Sequence, residues 1–264
     1  MRTQPVCEWV NCDLRLTLLG EELRAHVRVP TSPVRAADLV PVLHSLADGL
    51  VAVVLRLLAA QGKSVSCRAG CAACCEGLVP VAHAEALYLS ELVAAMPPPR
   101  RAAIRTRFEA VSEQLGRSQV LGEIMKRMES GHPDVGGELG AAYLKERVPC
   151  PFLENDACSI YPQRPTVCRE HLVTSPPSDC RDPERAIERV FLPARISPVL
   201  FRFSDGAVWD TARAVPMASV LAWAEAREEE AGTRLPGTRL FEGFLREFSR
   251  TQLGHEMAPD ANAP

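Results

Sequence analysis

The 264-residue chain is 47% hydrophobic and 24% charged, ordinary for a soluble globular protein, and it is long enough to bury a core without covalent staples. A formal net charge of −3 and an aromatic share of 5% leave no basic, stacking-rich surface for nucleic acid or anionic lipid. The N-terminus, MRTQPVCEWVNCDLRLTLLG, lacks the basic start and long apolar run of a signal peptide. The longest apolar stretch, 50–60, is broken by Arg56 and is too short to span a bilayer. No nucleic-acid partner, no membrane association and a cytoplasmic location are therefore expected.

In chain order, residues 12–29 alternate apolar and polar on both sides of a turn near Gly20, the pattern of a β-hairpin. From Ala36 to Ala60 apolar residues recur every three or four positions, which predicts one long buried helix ending near Gly62. Helical patterns return at 83–95, 99–118 and about 119–130, with Pro97–Pro99 between the first two. A loop at 131–140 leads to a short helix ending near Arg147. Residues 148–183 are aperiodic, rich in Cys and Pro, and are expected to be irregular. A second hairpin is expected at 198–210 around Ser204-Asp205-Gly206, then helices at about 213–230 and 238–252 and a disordered tail.

The predicted fold class is α+β, mostly helical, with a cysteine-rich irregular metal-binding core. Each hairpin alone is marginal, so the N-terminal one is expected to join the 190–210 strands in one small antiparallel sheet. Expected units are 1–62 (hairpin and long helix), 63–185 (cysteine cluster, with a helical insertion at 97–147), 186–258 (hairpin and two helices) and a tail at 259–264.

Ten cysteines in a reducing compartment point to metal ligation or redox chemistry rather than structural disulfides. The stretch CRAGCAACCEG places Cys67, Cys71, Cys74 and Cys75 at i, i+4, i+7 and i+8. On a helix they would share a face about 12 Å long, whereas sulfurs around one zinc lie about 3.8 Å apart, from Zn–S bonds of about 2.3 Å. Either the backbone loops around a metal, helped by Gly70, or the four thiols serve more than one metal or a larger cluster. Cys150, Cys158, Cys168 and Cys180 offer four more thiolates from the irregular segment, with Pro149 and Pro151 holding the chain extended around Cys150. A zinc site, two zinc sites and one iron–sulfur cluster with extra thiols all remain open. A structural metal supplies roughly 10–16 kcal/mol, a disulfide about 2–4, which again favours metal. Cys7 and Cys12 lie apart and read as ordinary thiols.

Three motifs in order, Cys-x3-Cys-x2-Cys-Cys at 67–75, Cys-Pro-Phe-Leu at 150–153 and Cys-Ser-Ile-Tyr-Pro-x-Arg-Pro-x-x-Cys-Arg at 158–169, resemble the YkgJ-type cysteine-cluster family, a zinc- or iron-chelating domain found mainly in bacteria. The resemblance covers roughly 67–172. The flagellin lysine N-methylase is similar to this family through its cysteine cluster, which there is of iron–sulfur type. The resemblance implies Zn²⁺ or an iron–sulfur cluster as cofactor, and a redox-capable centre.

Four thiolates on Zn²⁺ or on a [4Fe–4S]²⁺ core leave a net charge of −2. Arg164 and Arg169 are candidates to offset it and donate N–H bonds to sulfur; ion pairs with Glu154, Asp156 or Glu170 are the alternative. Tyr161 reads as a lid over the site or a plain core aromatic. His171 follows Cys168 at an acceptable ligand spacing, although the thiols already suffice. His83 reads as a helix start beside the cluster, His132 as a loop residue, His26 and His44 as residues without partners, and REEE at 227–230 as a solvated helix face. No Rossmann or P-loop fingerprint, Gly-x-Ser-x-Gly elbow or His-Glu-x-x-His helix is present. Three functions follow: a metal-binding protein, a cluster-dependent enzyme such as an S-adenosylmethionine-dependent methyl transferase acting on protein, or a thiol redox sensor.

Overall fold

The computed structural model describes residues 8–131, 137–204, 207–208, 212–227 and 233–256. Strands β1 (Trp9–Leu18) and β2 (Glu21–Pro30) form the expected hairpin, longer than its pattern required. Leu19 and Gly20 make the turn at positive φ, 51° and 84°. The alternation sets the register: Leu16 pairs with Leu23 and Leu14 with Ala25, and these side chains face the core while the charged ones face outward.

A 3-10 turn at 36–39 runs into α1 (Val40–Ala60). Pro41 sits in its first turn, where a missing N–H costs nothing. The continuous helical run 36–60 is long and apolar enough to cross a membrane, which the 50–60 stretch alone did not suggest. Here it is a core helix: Leu39, Val40, Leu43, Ala47 and Val53 are fully buried, the first four of them in a cluster shared with the hairpin and the C-terminal helix.

Beyond the loop 61–79, β4 (Pro80–Ala82) leads directly into α2 (His83–Ala94). Then come α3 (Pro98–Gly116), α4 (Val120–Glu129) and α5 (Gly137–Lys145). Ile104, Phe108, Val111 and Leu115 form the inward stripe of α3, spaced by four, three and four residues. The 148–183 segment holds only short pieces: β5 (Leu153–Glu154), β6 (Ala157–Cys158), α6 (Thr166–Glu170) and 3-10 turns at 161–163 and 177–181.

The C-terminal part departs more from expectation. A helical turn, α7 (Ser197–Leu200), replaces the first half of the expected hairpin. The hairpin itself shrinks to β7 (Phe203–Ser204) and β8 (Ala207–Val208); Asp205 and Gly206 lie outside the described residues. The helix expected at 213–230 is strand β9 (Ala214–Pro216), a 3-10 turn and α8 (Val220–Glu225). Pro216 explains the break, since it disfavours helix before it. Last come β10 (Leu235–Pro236) and α9 (Gly237–Glu256), and β10 pairs with β3 (Pro33–Val34).

The fold is mostly helical α+β, but its described strands form five separate two-stranded pairs rather than one sheet. Helices cover the hairpin instead: α1 and α9 pack on it. β4 pairs antiparallel with β9, tying the start of α2 to the C-terminal part.

Gly237 opens α9 against the end of β2. A Cβ there would lie 2.3 Å from the Pro30 carbonyl oxygen and 2.7 Å from its ring. Gly237→Ala is expected to destabilise the protein by about 1–3 kcal/mol, because backbone cannot yield cheaply. An unchanged urea midpoint would contradict that packing.

Candidate metal centre

The first cysteine run is a loop, not a helix. Gly70 takes φ +85°, a conformation L-residues resist, and successive turns follow in which Cys71 N–H donates to Arg68 O, Cys75 N–H to Ala72 O and Gly77 N–H to Cys74 O, each at 3.0 Å. This is the looping alternative that the spacing left open. It turns four closely spaced thiols away from a single helical line.

The second segment is sewn to the first by backbone bonds. Cys150 N–H donates to Cys75 O at 2.7 Å, and Ser66 N–H to Val173 O at 2.9 Å. Val173 N–H donates to Cys67 Sγ at 3.4 Å, while Cys67 Sγ–H reaches His171 O at 3.7 Å. Between these seams, Asn155 and Asp156, both at positive φ, turn β5 into β6 and so position Cys158. α6 carries Cys168.

Cys67, Cys71, Cys74, Cys180 and His171 line one small cavity of about 10 Å³. Electrostatics link the remaining thiols. A hydrogen bond with the Cys75 thiol, then burial, pushes Cys74 far above the ordinary thiol range. Burial pushes Cys150 up to about 12, with the Cys158 and Cys74 charges adding to it. Burial, then Cys74, Cys150 and Cys158, raises Cys168 well up; burial also raises Cys158. Cys180 rises to about 11 from burial and from Cys74, Cys67 and Cys71, and burial raises Cys67. Each thiolate discourages the next, and a cation at their centre reverses that penalty.

Among the described residues no group of three or more Cys, His, Asp or Glu is drawn in to the spacing of a finished coordination sphere. Ligation therefore requires the thiols to rotate inward. The donor chemistry itself fits zinc or iron: clustered, soft, protonated sulfurs that a metal would deprotonate. Cys12 lies on the hairpin, away from this cluster, and Cys7 lies outside the described residues.

The two arginines divide. Arg164 lies over the Tyr161 ring at 3.8 Å, donates to Tyr161 O at 2.8 Å, and its charge lowers Cys74 and Cys158 against the burial that raises them. Tyr161 thus supports Arg164. Arg169, only 3% exposed, points elsewhere. Its Nε donates to Arg164 O (2.9 Å), its Nη1 to Asp48 Oδ2 (2.5 Å), and its Nη2 to Pro162 O and to His44 Nδ1 (3.3 Å). None of these bonds goes to sulfur. The carboxylates first considered as partners are engaged elsewhere: Glu154 by Arg107, and Glu170 by Arg195, Ile196 N–H and Ser197.

His44 is not partnerless. Because Nδ1 accepts from Arg169, Nε2 carries the proton and donates to Glu85 Oε1 at 2.9 Å. Thr166 adds its N–H (2.6 Å) and hydroxyl (2.5 Å) to the same oxygen. His44, Glu85 and Thr166 are 4%, 1% and 0% exposed. Burial pushes Glu85 up, but the hydrogen bonds from His44 and Thr166 outweigh it and hold the carboxyl below its ordinary range. Its Oε2 has no hydrogen-bond partner. Behind His44 lies a polar cavity of about 260 Å³, lined also by Ser45, Asp48, Tyr88 and Arg169. Sequence reasoning missed Glu85 entirely. The available signal was a pair of polar residues, His44 and Glu85, on the buried faces of two apolar helices.

The other histidines differ. His26 pairs with Asp13 across the exposed hairpin at 2.5 Å, so it too has a partner. His132 and residues 228–230 lie outside the described residues. His83 stacks against Trp223 at 4.4 Å; burial, helped by Arg227 and Arg213, lowers it from 6.5 to about 4. Between those values the unfolded chain binds a proton that the folded one does not. The resulting stability, about 3 kcal/mol at most, is full above pH 6.5 and drains as pH falls toward 4. His83→Gln is expected to flatten that part of the stability–pH curve; an unchanged slope would show that His83 is not its source.

Residues 66–185 match the family model described as "CxxCxxCC: Putative zinc- or iron-chelating domain". No curated protein and no solved structure matches the chain. The matched residues include both cysteine runs and the seams between them. With eight of the chain's ten cysteines inside it, that segment is similar to the cysteine-cluster, zinc- or iron-chelating family.

Proposed function

We propose that the protein holds zinc or iron through the thiolates of Cys67, Cys71, Cys74, Cys75, Cys150, Cys158, Cys168 and Cys180, in a reducing, cytoplasmic setting. The observation that carries this reading is the joining of two distant cysteine segments by the Cys150–Cys75 and Val173–Cys67 bonds. That joining collects half-buried thiols from two segments, which a shared cation would stabilise as thiolates. The N–H bond to Cys67 sulfur is of the kind that orients and tunes a metal thiolate. Arg164 is the better of the two arginines to balance the charge.

The raised thiols also weigh against a redox sensor, which needs low-pKa, exposed cysteines. Catalysis at the centre, including methyl transfer to a protein substrate, rests on resemblance alone and adds nothing to the geometry.

The test is anaerobic purification with measurement of bound metal, labile sulfide and the visible spectrum. Metal in stoichiometric amount is expected. Sulfide with charge-transfer absorbance identifies an iron–sulfur cluster; a colourless metal identifies zinc. Protein that carries no metal when purified this way overturns the proposal.

A further inference from the structure

We infer that the outer edge of β1 pairs with the same edge of a second copy of this chain, making a twofold-symmetric dimer through a continuous four-stranded antiparallel sheet. The inference goes beyond the metal-chelating function proposed above and does not depend on it.

β1 is a ten-residue strand in a sheet of only two strands among the described residues. β2 carries the buried Val27 and Val29, whereas no residue of β1 is fully buried. Proteins blunt such edges with proline, lysine, bulges or short strands. β1 has none of these: WVNCDLRLTL contains no Pro or Lys, and its register against β2 runs unbroken from Trp9–Pro30 to Leu18–Glu21.

Hydrogen-bond parity decides which backbone groups face outward. Thr31 N–H donates to Glu8 O at 2.8 Å, and the two-residue turn at Leu19-Gly20 makes Leu18 and Glu21 a bonded pair. Bonded pairs alternate along an antiparallel ladder. The even residues of β1 therefore bond to β2, and the N–H and C=O groups of Asn11, Asp13, Arg15 and Thr17 point away from it. Two copies meeting antiparallel about a twofold axis bond these odd residues to one another.

Charge selects the register. With the axis at Leu14, Asp13 faces Arg15 of the second copy, and Arg15 faces its Asp13. An axis at Asp13 or at Arg15 sets like charges face to face, which is unfavourable. Within one copy, Arg15 lies opposite Arg24 and makes no ion pair among the described residues. Asp13 engages His26 through Oδ1, at 2.5 Å, and its other oxygen carries no bond among the described residues.

The same register gathers the apolar side chains. Of four exposed large hydrophobics among the described residues, three flank this edge: Trp9 (48%), Val10 (37%) and Leu19 (65%). The Leu14 axis brings Val10 opposite Leu18 of the second copy and Trp9 beside its Leu19. On the inner face, the half-buried Leu14 meets its own counterpart and Cys12 meets Leu16.

The test is sedimentation equilibrium of the full chain at fixed metal content. Wild type is expected to be dimeric at about 100 μM. Arg15→Asp and Asp13→Arg, each alone, set like charges opposite each other and should weaken association about tenfold or more. Mixed together, these two variants present opposite charges again and should form a one-to-one dimer, which misfolded chains could not do. Wild type that stays monomeric, a dimer that either variant leaves unweakened, or a mixture that fails to associate overturns the inference. Metal content should be the same in wild type and variants, so a monomer that holds metal sinks the dimer alone, and a metal-free dimer sinks only the proposed function.

Discussion

Removing the bound metal with a strong chelator, under reducing conditions, is expected to unfold residues 63–79 and 148–183 while α1 and α9 stay folded. The thiol-bearing segments contain one five-residue helix, two two-residue strands and short turns, so little regular backbone bonding holds them. Their buried apolar side chains are few, with Phe152, Ile160, Leu172 and Val173 the main ones, and their half-buried thiols contribute less burial energy than the Leu, Val and Phe cluster around α1 and α9. A structural metal supplies roughly 10–16 kcal/mol, comparable to the whole stability of a typical domain at about 5–15 kcal/mol. Hydrogen exchange should therefore rise by about two orders of magnitude or more across both cysteine segments, from loss of well over 3 kcal/mol of local protection. Far-ultraviolet circular dichroism should change little. Exchange that stays slow after the metal content has fallen to zero would show that packing, not metal, holds these loops.

Glu85→Ala should destabilise the protein by about 3–5 kcal/mol, the effect of breaking a buried charged network from one side. The substitution strands His44 Nε2–H and both Thr166 donors on the buried faces of α1, α2 and α6. Glu85→Gln keeps an acceptor at Oε1 but loses the charge, and should cost about half as much, since charge-assisted bonds are roughly twice as strong as neutral ones. Urea unfolding at fixed metal content measures both. A double-mutant cycle with His44→Ala separates the pair from general packing; near-additivity would mean the two side chains act independently. Because Thr166 sits two residues before Cys168, the same variant reports whether this network holds α6, and hence the Cys168 thiol, in place.

Local pattern made much of the fold legible. The alternation of Leu14, Leu16 and Leu18 with Asp13, Arg15 and Thr17 specifies the hairpin and its inward face, and the three- and four-residue spacing of Ile104, Phe108, Val111 and Leu115 specifies α3. Pairings between distant residues left no such trace. Pro80–Ala82 meets Ala214–Pro216 across more than half the chain, and nothing in three residues of either names the other. The separate sheets follow from the same limit: whether a hairpin finds strands or helices to cover it depends on the tertiary arrangement. At the site, cysteine spacing and order pointed to the thiols proposed as ligands, because a metal needs donors in number. The directions of long side chains were not readable. Arg164 and Arg169 look equivalent in RPTVCRE, yet one lies over Tyr161 and the other reaches across to Asp48 on α1. His44 appeared isolated because its partner lies on a different helix, 41 residues away.

The bond between Cys150 N–H and Cys75 O has a consequence for how this architecture tolerates change in length. The chain departs at residue 75 and returns at 150 to the same point, 2.7 Å away. Everything between is an excursion whose two ends are pinned. The short link between α3 and α4 at 117–119, where Arg117 and Gln119 are exposed, can host foreign sequence while the pinned ends keep their spacing. A fluorescent module spliced there would ride outside the thiols, giving a reporter on the protein that leaves its metal chemistry intact.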